Sequence, residues 1–449
     1  MERLLRERVL VNVDLGEHNL PPSGIDGRLD HRTEGLTRAA PWGPKINHYR
    51  GCQRTVYDLC FKGCVCYVDD HNPKDTAPSQ GAENKELPVA CRDPEFGADV
   101  TPSSDVAGID AKNLTAWMIK RVPDLAEPLR FEPIAGGLSN LTYNVTDAAG
   151  RRWVLRRPPL GHVLATAHDM SREFRIITAL SATDVPVAPV VGFCDDDAVN
   201  GAPFYVMEFV DGIIARDAAA GSELTIAART NAGRSLIDIL IKIHAVDVDA
   251  IGLGDLGRKE SYVERQLSRW QRQWEATKDD AIVEMTELHQ RLSQAIPQQG
   301  PATIVHGDYR LDNCIVDRSG SVVAVLDWEL CTLGDPLADL GLMFVYWAQA
   351  DDPFSALDGS ATALEGFATR TDLLAMYRAQ SDRDLSQIGY YVALGYWKLA
   401  CILQGVLVRY RSGAMGDQTT DADSGTSPVQ RLAVAGLAAL SGQIGGSDV

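Results

Sequence analysis

The sequence contains a group of polar residues whose types and spacing suit chemistry at a phosphate or a hydroxyl group. Asp308 follows the apolar run ATIVHG, Asn313 lies five residues further on, and Asp327 ends the apolar run SVVAVL. Short apolar runs between turn residues predict strands, and paired strands bring the loops at their ends together. Two carboxylates and an amide oxygen suit a hard cation such as Mg²⁺ and a base that accepts a hydroxyl proton. We therefore expect the three side chains to converge on one site.

The spacing of these residues is typical of phosphoryl transfer. In kinase-type enzymes an Asp-x-x-x-x-Asn loop supplies a base and a metal ligand, and a later aspartate holds the metal as well. His306-Gly307-Asp308 stands where protein kinases have His-Arg-Asp, and Asp327-Trp328-Glu329 stands where they have Asp-Phe-Gly. Aspartate and asparagine are also common at ordinary turns, but the flanking strands and the following Gly334-Asp335-Pro336 argue against chance. The predicted assignment is Asp308 as the catalytic base, Asn313 and Asp327 as metal ligands, and ATP and Mg²⁺ as cofactors.

A glycine-containing turn upstream is a candidate contact to the nucleotide. Gly136, Gly137, Ser139 and Asn140 lie between two predicted strands, where backbone N–H groups can cover phosphates. A plain hairpin explains the same glycines, and the turn departs from the protein-kinase loop G-x-G-x-x-G. Its position relative to Asp308 favours the nucleotide-binding interpretation.

An arginine is the predicted cationic partner of the phosphates. Arg156, in the strand WVLR, occupies the place of the phosphate-pairing lysine of kinases, and Glu173 on the following helix is its expected carboxylate partner. Arginine is a planar fork rather than a point charge, and Arg157 takes the role if the phase of the strand is shifted by one residue. A surface arginine is the plain alternative. At the end of the strand APFYVME, the backbone of Glu208 and Phe209 is expected to pair with the adenine edge.

These candidate residues are carried by two regions of different predicted structure. Residues 105–209 are predicted to be antiparallel strands with one inserted helix, SREFRIITALSA, and residues 210–449 to be mostly helical with three short strands. The predicted fold class is therefore α+β, a bilobed protein-kinase-like fold with an antiparallel-sheet N-lobe and a mostly helical C-lobe.

The N-terminal residues 1–104 differ from the rest of the chain. They have no sustained apolar periodicity, so we expect a disordered or non-native extension. Cys60, Cys64 and Cys66 lack a second ligand pair with zinc spacing, which argues against a metal site.

Composition excludes several classes of protein. The net charge of −18 argues against nucleic-acid partners. The sequence has no run of 18 apolar residues, so no membrane span is predicted. Nine cysteines, an odd number without a disulfide framework, and the lack of a signal-peptide pattern favour a reduced, cytoplasmic compartment. The oligomeric state is left open.

The pattern resembles the aminoglycoside phosphotransferase and choline kinase superfamily over residues 105–440. The stretches AHDMSREFRI, YVERQLSRWQRQW and LDWELCTLGDPLADLG are similar to a subfamily that includes the kinase-like domain of certain acyl-CoA dehydrogenases, which acts on 4-hydroxyacyl-CoA. The resemblance implies ATP- and Mg²⁺-dependent transfer of the γ-phosphate to a hydroxyl of a small molecule, with a hydroxyacyl-CoA as a candidate. The short interval between Asp327 and Asp335 leaves no room for an activation segment, which also favours a small-molecule acceptor.

Other functions are compatible with the same residues. A pseudokinase binds nucleotide without turnover, and Arg156 in place of lysine supports that alternative. A metal-dependent phosphohydrolase uses the same carboxylates but does not need Arg156 or Glu173. An aminoglycoside-type antibiotic kinase needs a strongly acidic acceptor site, whereas residues 255–300 are nearly balanced in charge.

The acceptor side of the sequence offers two sets of candidates. Arg265, Arg269 and Arg272 form a cationic stripe, which is either a solvated helix face or a contact for an anionic acceptor. A second set, which either lines an acceptor pocket or packs in the core, comprises Tyr262, Tyr346 and Tyr391.

Overall fold

The computed structural model describes residues 106–134, 140–160, 169–279, 281–350, 352, 359–411, 427–444 and 447–448. The predicted extension 1–104 lies outside these described residues, as do Gly136, Gly137 and Ser139 of the candidate phosphate-binding turn.

A five-stranded antiparallel sheet forms the first part of the described chain. Its strands are β1 (Arg130–Pro133), β2 (Leu141–Thr146), β3 (Arg152–Arg157), β4 (Val190–Cys194) and β5 (Phe204–Glu208), in the spatial order β1-β2-β3-β5-β4. Helix α1 (Ala111–Ile119) precedes the sheet, α2 (Met170–Leu180) connects β3 to β4, and the single turn α3 (Asp197–Asn200) connects β4 to β5.

The two faces of the sheet pack against different helices, because side chains alternate in direction along a strand. On one face α1 covers the sheet, and the ring of Trp117 meets that of Phe204 edge-on at 5.0 Å. On the other face Phe174 of α2 stacks on Phe193 at 5.6 Å. In β3 the buried residues Trp153 and Leu155 belong to the α1 side. Arg156, between Leu155 and the end of the strand, therefore projects to the α2 side.

The second part of the described chain is mostly helical. Its helices are α4 (Ala218–Gly221), α5 (Ile226–His244), α6 (Tyr262–Thr277), α7 (Val283–Gln294), α8 (Leu337–Tyr346), α9 (Arg370–Gln380), α10 (Ile388–Arg411) and α11 (Pro428–Leu440). Helix α6 buries an apolar stripe, which comprises Val263, Leu267, Trp270 and Trp274.

Two small antiparallel ribbons interrupt the helices and carry the candidate catalytic residues. One pairs β6 (Thr303–Val305) with β9 (Thr332–Gly334), and the other pairs β7 (Cys314–Val316) with β8 (Val322–Val325). The sequence predicted β6, β7 and β8 but not β9, because the segment TLG is too short to carry a pattern and becomes a strand only by pairing with β6. The single turns Leu311–Asn313, Trp328–Leu330 and Ala361–Ala363 are 3₁₀ helices, and β10 (Gln443–Ile444) pairs with β11 (Ser447–Asp448).

Helix α10 is the central helix of the second part. It packs against α6, α8 and α11. Within the described chain it contains the one stretch, Ile388–Arg409, that is long and apolar enough to cross a membrane, and 72% of that window is buried inside the protein. Core packing therefore accounts for its apolar composition.

Candidate active site

A buried carboxylate from α8 holds the loop between β6 and β7. Asp339 accepts hydrogen bonds from the backbone N–H groups of His306 at 2.6 Å and Gly307 at 2.8 Å. The His306 ring contacts the carbonyl of Leu326 through Nε2 at 2.9 Å and the N–H of Asp308 through Nδ1 at 3.3 Å. These partners define the tautomer, with the proton on Nε2. The loop is thereby fixed to the end of β8.

Gly307 occupies a position that other residues fill poorly. Its φ of +84° lies in the left-handed region. A Cβ at this position would also lie 2.9 Å from the carbonyl oxygen of Leu330. The tight turn places Asp308 directly after the buried segment of the loop.

Two donors in its own loop orient the carboxylate of Asp308. The Nδ2 of Asn313 donates to Oδ2 and to the backbone carbonyl of Asp308, both at 2.8 Å. The Nε of Arg310 lies 3.2 Å from the same Oδ2. Because the amide nitrogen of Asn313 makes both hydrogen bonds, its amide oxygen is the atom available to a cation.

Asp327 reaches the same place from the β7–β8 ribbon. The N–H of Leu326 donates to the carbonyl of Asn313 at 2.8 Å, which sets the end of β8 beside the loop. Asp327 itself has φ +66° and ψ +59°, a left-handed conformation that is strained for a residue other than glycine and is concentrated at functional sites. The structure thus brings Asp308, Asn313 and Asp327 together from two segments, the loop between β6 and β7 and the end of β8.

Arg156 connects the sheet to this cluster. Its Nη1 lies 3.2 Å from Oε1 of Glu173, and its Nη2 lies 3.4 Å from Oδ1 of Asp327. Burial raises the pKa of the Glu173 carboxyl, and the nearby guanidinium of Arg156 opposes that rise. Arg157 lies on the opposite face, where it donates to the carbonyls of Gly108 and Asn200. Of the two arginines that the sequence left as alternatives, Arg156 is the one that faces the cluster.

The remaining predicted nucleotide contacts lie around this cluster. Asn140, at the start of β2, donates from Nδ2 to Oε2 of Glu329 at 3.2 Å, which ties the sheet to the segment after Asp327. At the end of β5, Glu208 is exposed and Phe209 is partly buried. The guanidinium of Arg152 covers the ring of Phe209 at 3.8 Å. The role of this segment at an adenine edge stays a prediction.

The donor set fits a magnesium ion that binds together with phosphates. In the described residues no group of three or more His, Cys, Asp or Glu side chains forms a metal cluster. The carboxylate of Asp327 and the amide oxygen of Asn313 would supply hard oxygen ligands to such an ion. Mg²⁺ in phosphoryl-transfer enzymes typically takes one or two protein oxygens and completes its shell with phosphates and water.

A small cavity opens beside the loop of residues 306–313, the candidate catalytic loop. Gly307 lines it from the loop, Gln266 and Trp270 line it from α6, and Lys398 lines it from α10. The Nζ of Lys398 donates to the carbonyl of Gly307. Sequence reasoning missed this lysine, although one lysine in the middle of an otherwise apolar helix was a usable signal.

The acceptor-side candidates separate in the structure. In the cationic stripe Arg272 is exposed, whereas Arg265 and Arg269 are partly buried. The Nη2 of Arg265 donates to the carbonyl of Arg258 at 2.7 Å. The three candidate tyrosines are all buried: Tyr262 and Tyr346 each line a cavity, and Tyr391 donates to Asp335 at 2.6 Å.

Comparison with known proteins agrees with this fold. The sequence model of the phosphotransferase enzyme family matches residues 130–373. A solved structure from Ralstonia eutropha JMP134, provisionally named an aminoglycoside phosphotransferase, is 33% identical; it covers 74% of this chain and 95% of its own, with a TM-score of 0.59.

Two curated relatives are named as acyl-CoA dehydrogenases, not as phosphotransferases. Acyl-CoA dehydrogenase family member 10 of Mus musculus is 36% identical over 65% of this chain and 28% of its own length. Acyl-CoA dehydrogenase family member 11 of Homo sapiens is 32% identical over 75% of this chain and 44% of its own length. The chain therefore spans less than half the length of each of these relatives.

The fold is that of the kinase-like phosphotransferase class, and the predicted α+β, bilobed fold is confirmed. The chain belongs to the phosphotransferase enzyme family.

Proposed function

We propose that the protein transfers the γ-phosphoryl group of ATP, with Mg²⁺, to a hydroxyl group of a small molecule. The observation that carries this proposal is the convergence of a base candidate, two metal-ligand candidates and a partly buried arginine. Asn313 Nδ2 lies 2.8 Å from Asp308 Oδ2, and Arg156 contacts the carboxylates of both Glu173 and Asp327. A phosphohydrolase needs neither Arg156 nor Glu173, so this pair favours a kinase.

In the proposed reaction the bond between the γ-phosphorus and its bridging oxygen breaks, and ADP leaves. A new bond forms between that phosphorus and the acceptor oxygen, and the hydroxyl proton passes to Oδ2 or Oδ1 of Asp308. The contacts from Asn313 and Arg310 hold this carboxylate in a fixed orientation while it accepts the proton. Positioning of this kind supplies much of the rate enhancement in phosphoryl transfer.

The metal and the arginine would divide the work at the phosphates. Asp327 and the amide oxygen of Asn313 would hold Mg²⁺, which neutralises phosphate charge when it is bound. Arg156 is already fixed by Glu173, so its second amino group can turn from Asp327 to a phosphate oxygen without a new anchor. This fixed geometry favours turnover over a pseudokinase.

The acceptor class that we propose is a hydroxyacyl-CoA. Support comes from the curated relatives named as acyl-CoA dehydrogenases, with about one third of their residues identical over the matched region. An aminoglycoside is the second candidate, because the similar structure from Ralstonia eutropha carries that name.

The decisive experiment is an ADP-release assay with ATP and Mg²⁺, with and without an acceptor. The acceptors are 4-hydroxypentanoyl-CoA, kanamycin and, as a control that lacks the hydroxyl, pentanoyl-CoA. We expect ADP and a phosphate ester only with the hydroxylated thioester. ADP release independent of any acceptor would indicate a hydrolase. No ADP in any arm, together with Mg-ATP binding, would overturn the proposal in favour of a pseudokinase. Product with kanamycin alone would replace the acceptor class.

A further inference from the structure

The cavity beside the catalytic loop contains a charged group that the proposed chemistry does not use. Lys398 lies in the middle of α10, and Trp397, Leu399 and Ala400 around it are buried. Placing an ammonium group in such surroundings has a free-energy cost unless it is paired. A plain core position would therefore be filled better by leucine or methionine.

The ammonium group of Lys398 is held at the catalytic loop. Its Nζ donates to the carbonyl of Gly307, the residue directly before Asp308, and lies 5.7 Å from the ring centre of Trp270. Among the surrounding charges the Asp308 carboxylate favours its protonated form most strongly. An ammonium group has three donors, and within the described residues the carbonyl of Gly307 takes one of them. The others are available to a molecule in the cavity.

The walls of this cavity do not suit a polycation. Asp339 is the carboxylate among the described lining residues, and its two oxygens are occupied by the N–H groups of His306 and Gly307. Arg269 and Arg310 also lie close enough to repel the charge of Lys398. Among the described lining residues, an acceptor with several amino groups would meet the ammonium of Lys398 and no available carboxylate. An acceptor with a carboxylate or carbonyl oxygen would meet a hydrogen-bond donor with positive charge.

We propose that Lys398 is an acceptor-binding residue that selects hydroxy compounds with a carbonyl or carboxylate oxygen near the reacting hydroxyl. The inference rests on the proposed phosphotransfer for the role of Asp308, but it concerns binding and can be tested without turnover. Gly307 connects Lys398 to the base, because Lys398 contacts its carbonyl and Asp308 is the next residue. An acceptor whose oxygen is bound at Lys398 would therefore present a hydroxyl a few bonds away to Asp308.

The test measures binding to the intact protein in the presence of Mg²⁺ and a non-hydrolysable ATP analogue. The probes are 4-hydroxypentanoate, its pantetheine thioester, pentane-1,4-diol and kanamycin, titrated by calorimetry. The free acid and the thioester distinguish a carboxylate from a carbonyl as the group recognised. We expect one of them to bind at least about tenfold more tightly than the diol, as expected for a hydrogen bond to a charged group.

The variants K398M and K398R identify the residue responsible. Methionine keeps the length of the side chain without its charge, and we expect K398M to lose about 10- to 100-fold in affinity for the preferred probe while the diol is unchanged. K398R should retain part of the selectivity. The matched control K259M removes a lysine whose contact is Asp249 on the surface, and it should bind all probes as the parent does.

The outcomes separate this inference from the proposed function. Equal affinity of the parent and K398M for every probe would overturn the inference, as would tighter binding of kanamycin than of the acid and the thioester. Thermal melting of each variant checks that the fold is intact, and K398R carries the test if K398M melts early. Lys398-dependent binding without any ADP release would support the inference and reject the phosphotransfer.

Discussion

Asp308 is the residue on which the proposed chemistry depends, and its neighbours explain why its carboxylate suits the role of base. It is 13% exposed, so it is accessible to an acceptor, and it is oriented by Asn313 and Arg310. Arg156 is the second such residue, because its planar fork contacts Glu173 and Asp327 at once. A lysine would contact one of them at a time.

Replacing Asp308 with asparagine tests the base. The variant D308N keeps the shape of the side chain and removes its proton acceptor, so turnover should fall by about 10²- to 10⁴-fold. Affinity for Mg-ATP should change little, because Asp308 is not one of the proposed metal ligands. Initial rates and a calorimetric titration check both quantities, with the exposed D382N as the matched control. Turnover within about threefold of the parent would contradict the assignment.

Replacing Asp327 with alanine tests the metal site. The carboxylate is a proposed ligand of the cation that joins the phosphates. We therefore expect D327A to weaken Mg-ATP binding by at least about tenfold, the loss of one charged contact, and to lower turnover as well. Titration with ATP in the absence of Mg²⁺ should show a smaller difference between variant and parent. Full turnover with unchanged affinity would remove Asp327 from the site.

The pH dependence of acceptor binding follows from Lys398. Burial lowers the pKa of this ammonium to about 8; Asp308 and Asp339 favour the charged form, and Arg269 and Arg310 disfavour it. Lys398 is protonated below that pH and loses its charge above it. Affinity for an oxygen-bearing acceptor should therefore fall as the pH rises through about 8. Calorimetry between pH 6.5 and 9.5, values set about 1.5 units either side of that pKa, should show this decline in the parent. In K398R, whose guanidinium stays charged, affinity should be nearly constant.

At the scale of elements, helix α2 is the part of the sheet region that carries Glu173. The carboxylate of Asp169 accepts the N–H of Arg172 at 3.0 Å and caps its start. The side chain of Arg172 then donates to the carbonyls of Leu256 at 3.0 Å and Cys331 at 2.7 Å. The Cys331 carbonyl follows Asp327 by four residues. Arg172 therefore fixes α2, whose Glu173 pairs with Arg156, to the segment that follows Asp327.

Removing this attachment should affect catalysis without removing a catalytic group. We expect R172M to lower kcat by about tenfold, because two charge-assisted hydrogen bonds are lost and Glu173 is less well positioned. The control R175M lies one turn away on the same helix and loses contacts to the exposed Asp255 and to the carbonyl of the exposed Gly252, which should matter little because both lie at the surface away from the site. Steady-state kinetics and Mg-ATP titration on both variants measure the difference. Equal kcat for R172M and the parent would show that α2 is held by its apolar contacts alone.

At the scale of the whole molecule, the fold is anchored by residues just after the predicted extension. Val106 and Ile109 pack against the cluster beneath α1. The hydroxyl of Tyr143 donates to the carbonyl of Ala107 at 2.6 Å, and Arg157 donates to that of Gly108. The folded unit therefore includes residue 106.

A chain that starts at Val100 should retain the folded unit. Residues 1–99 have no periodic apolar face to offset a backbone-ordering cost of about 1–2 kcal/mol per residue. We expect the shortened chain to melt within about 3 °C of the full chain and to keep its ATP-dependent activity. Limited proteolysis of the full chain should stop near the same boundary. Aggregation, loss of activity or protection of Cys60, Cys64 and Cys66 by zinc would show that the extension contributes structure.

Much of the fold was predictable because its signals are local. The period-2 segments β2 and β3, the continuous buried run of β5 and the amphipathic helices α2 and α6 each contain their own pattern of buried residues. Strand β9 and the close contact between Asn140 and Glu329 were not predictable, since each depends on a partner far away in the chain.

By itself the sequence determined which residues are available for chemistry and in what order: the Asp308–Asn313 spacing, the later Asp327, and the arginine and glutamate upstream. These are properties of residue type and separation. Tertiary structure decided which of Arg156 and Arg157 faces the cluster, because a shift of one residue moves a strand side chain to the other face. It also decided that a lysine of a core helix, 90 residues after Asp308, lies beside the catalytic loop. Such a contact comes from the packing of α10 against the loop, and no local pattern encodes it.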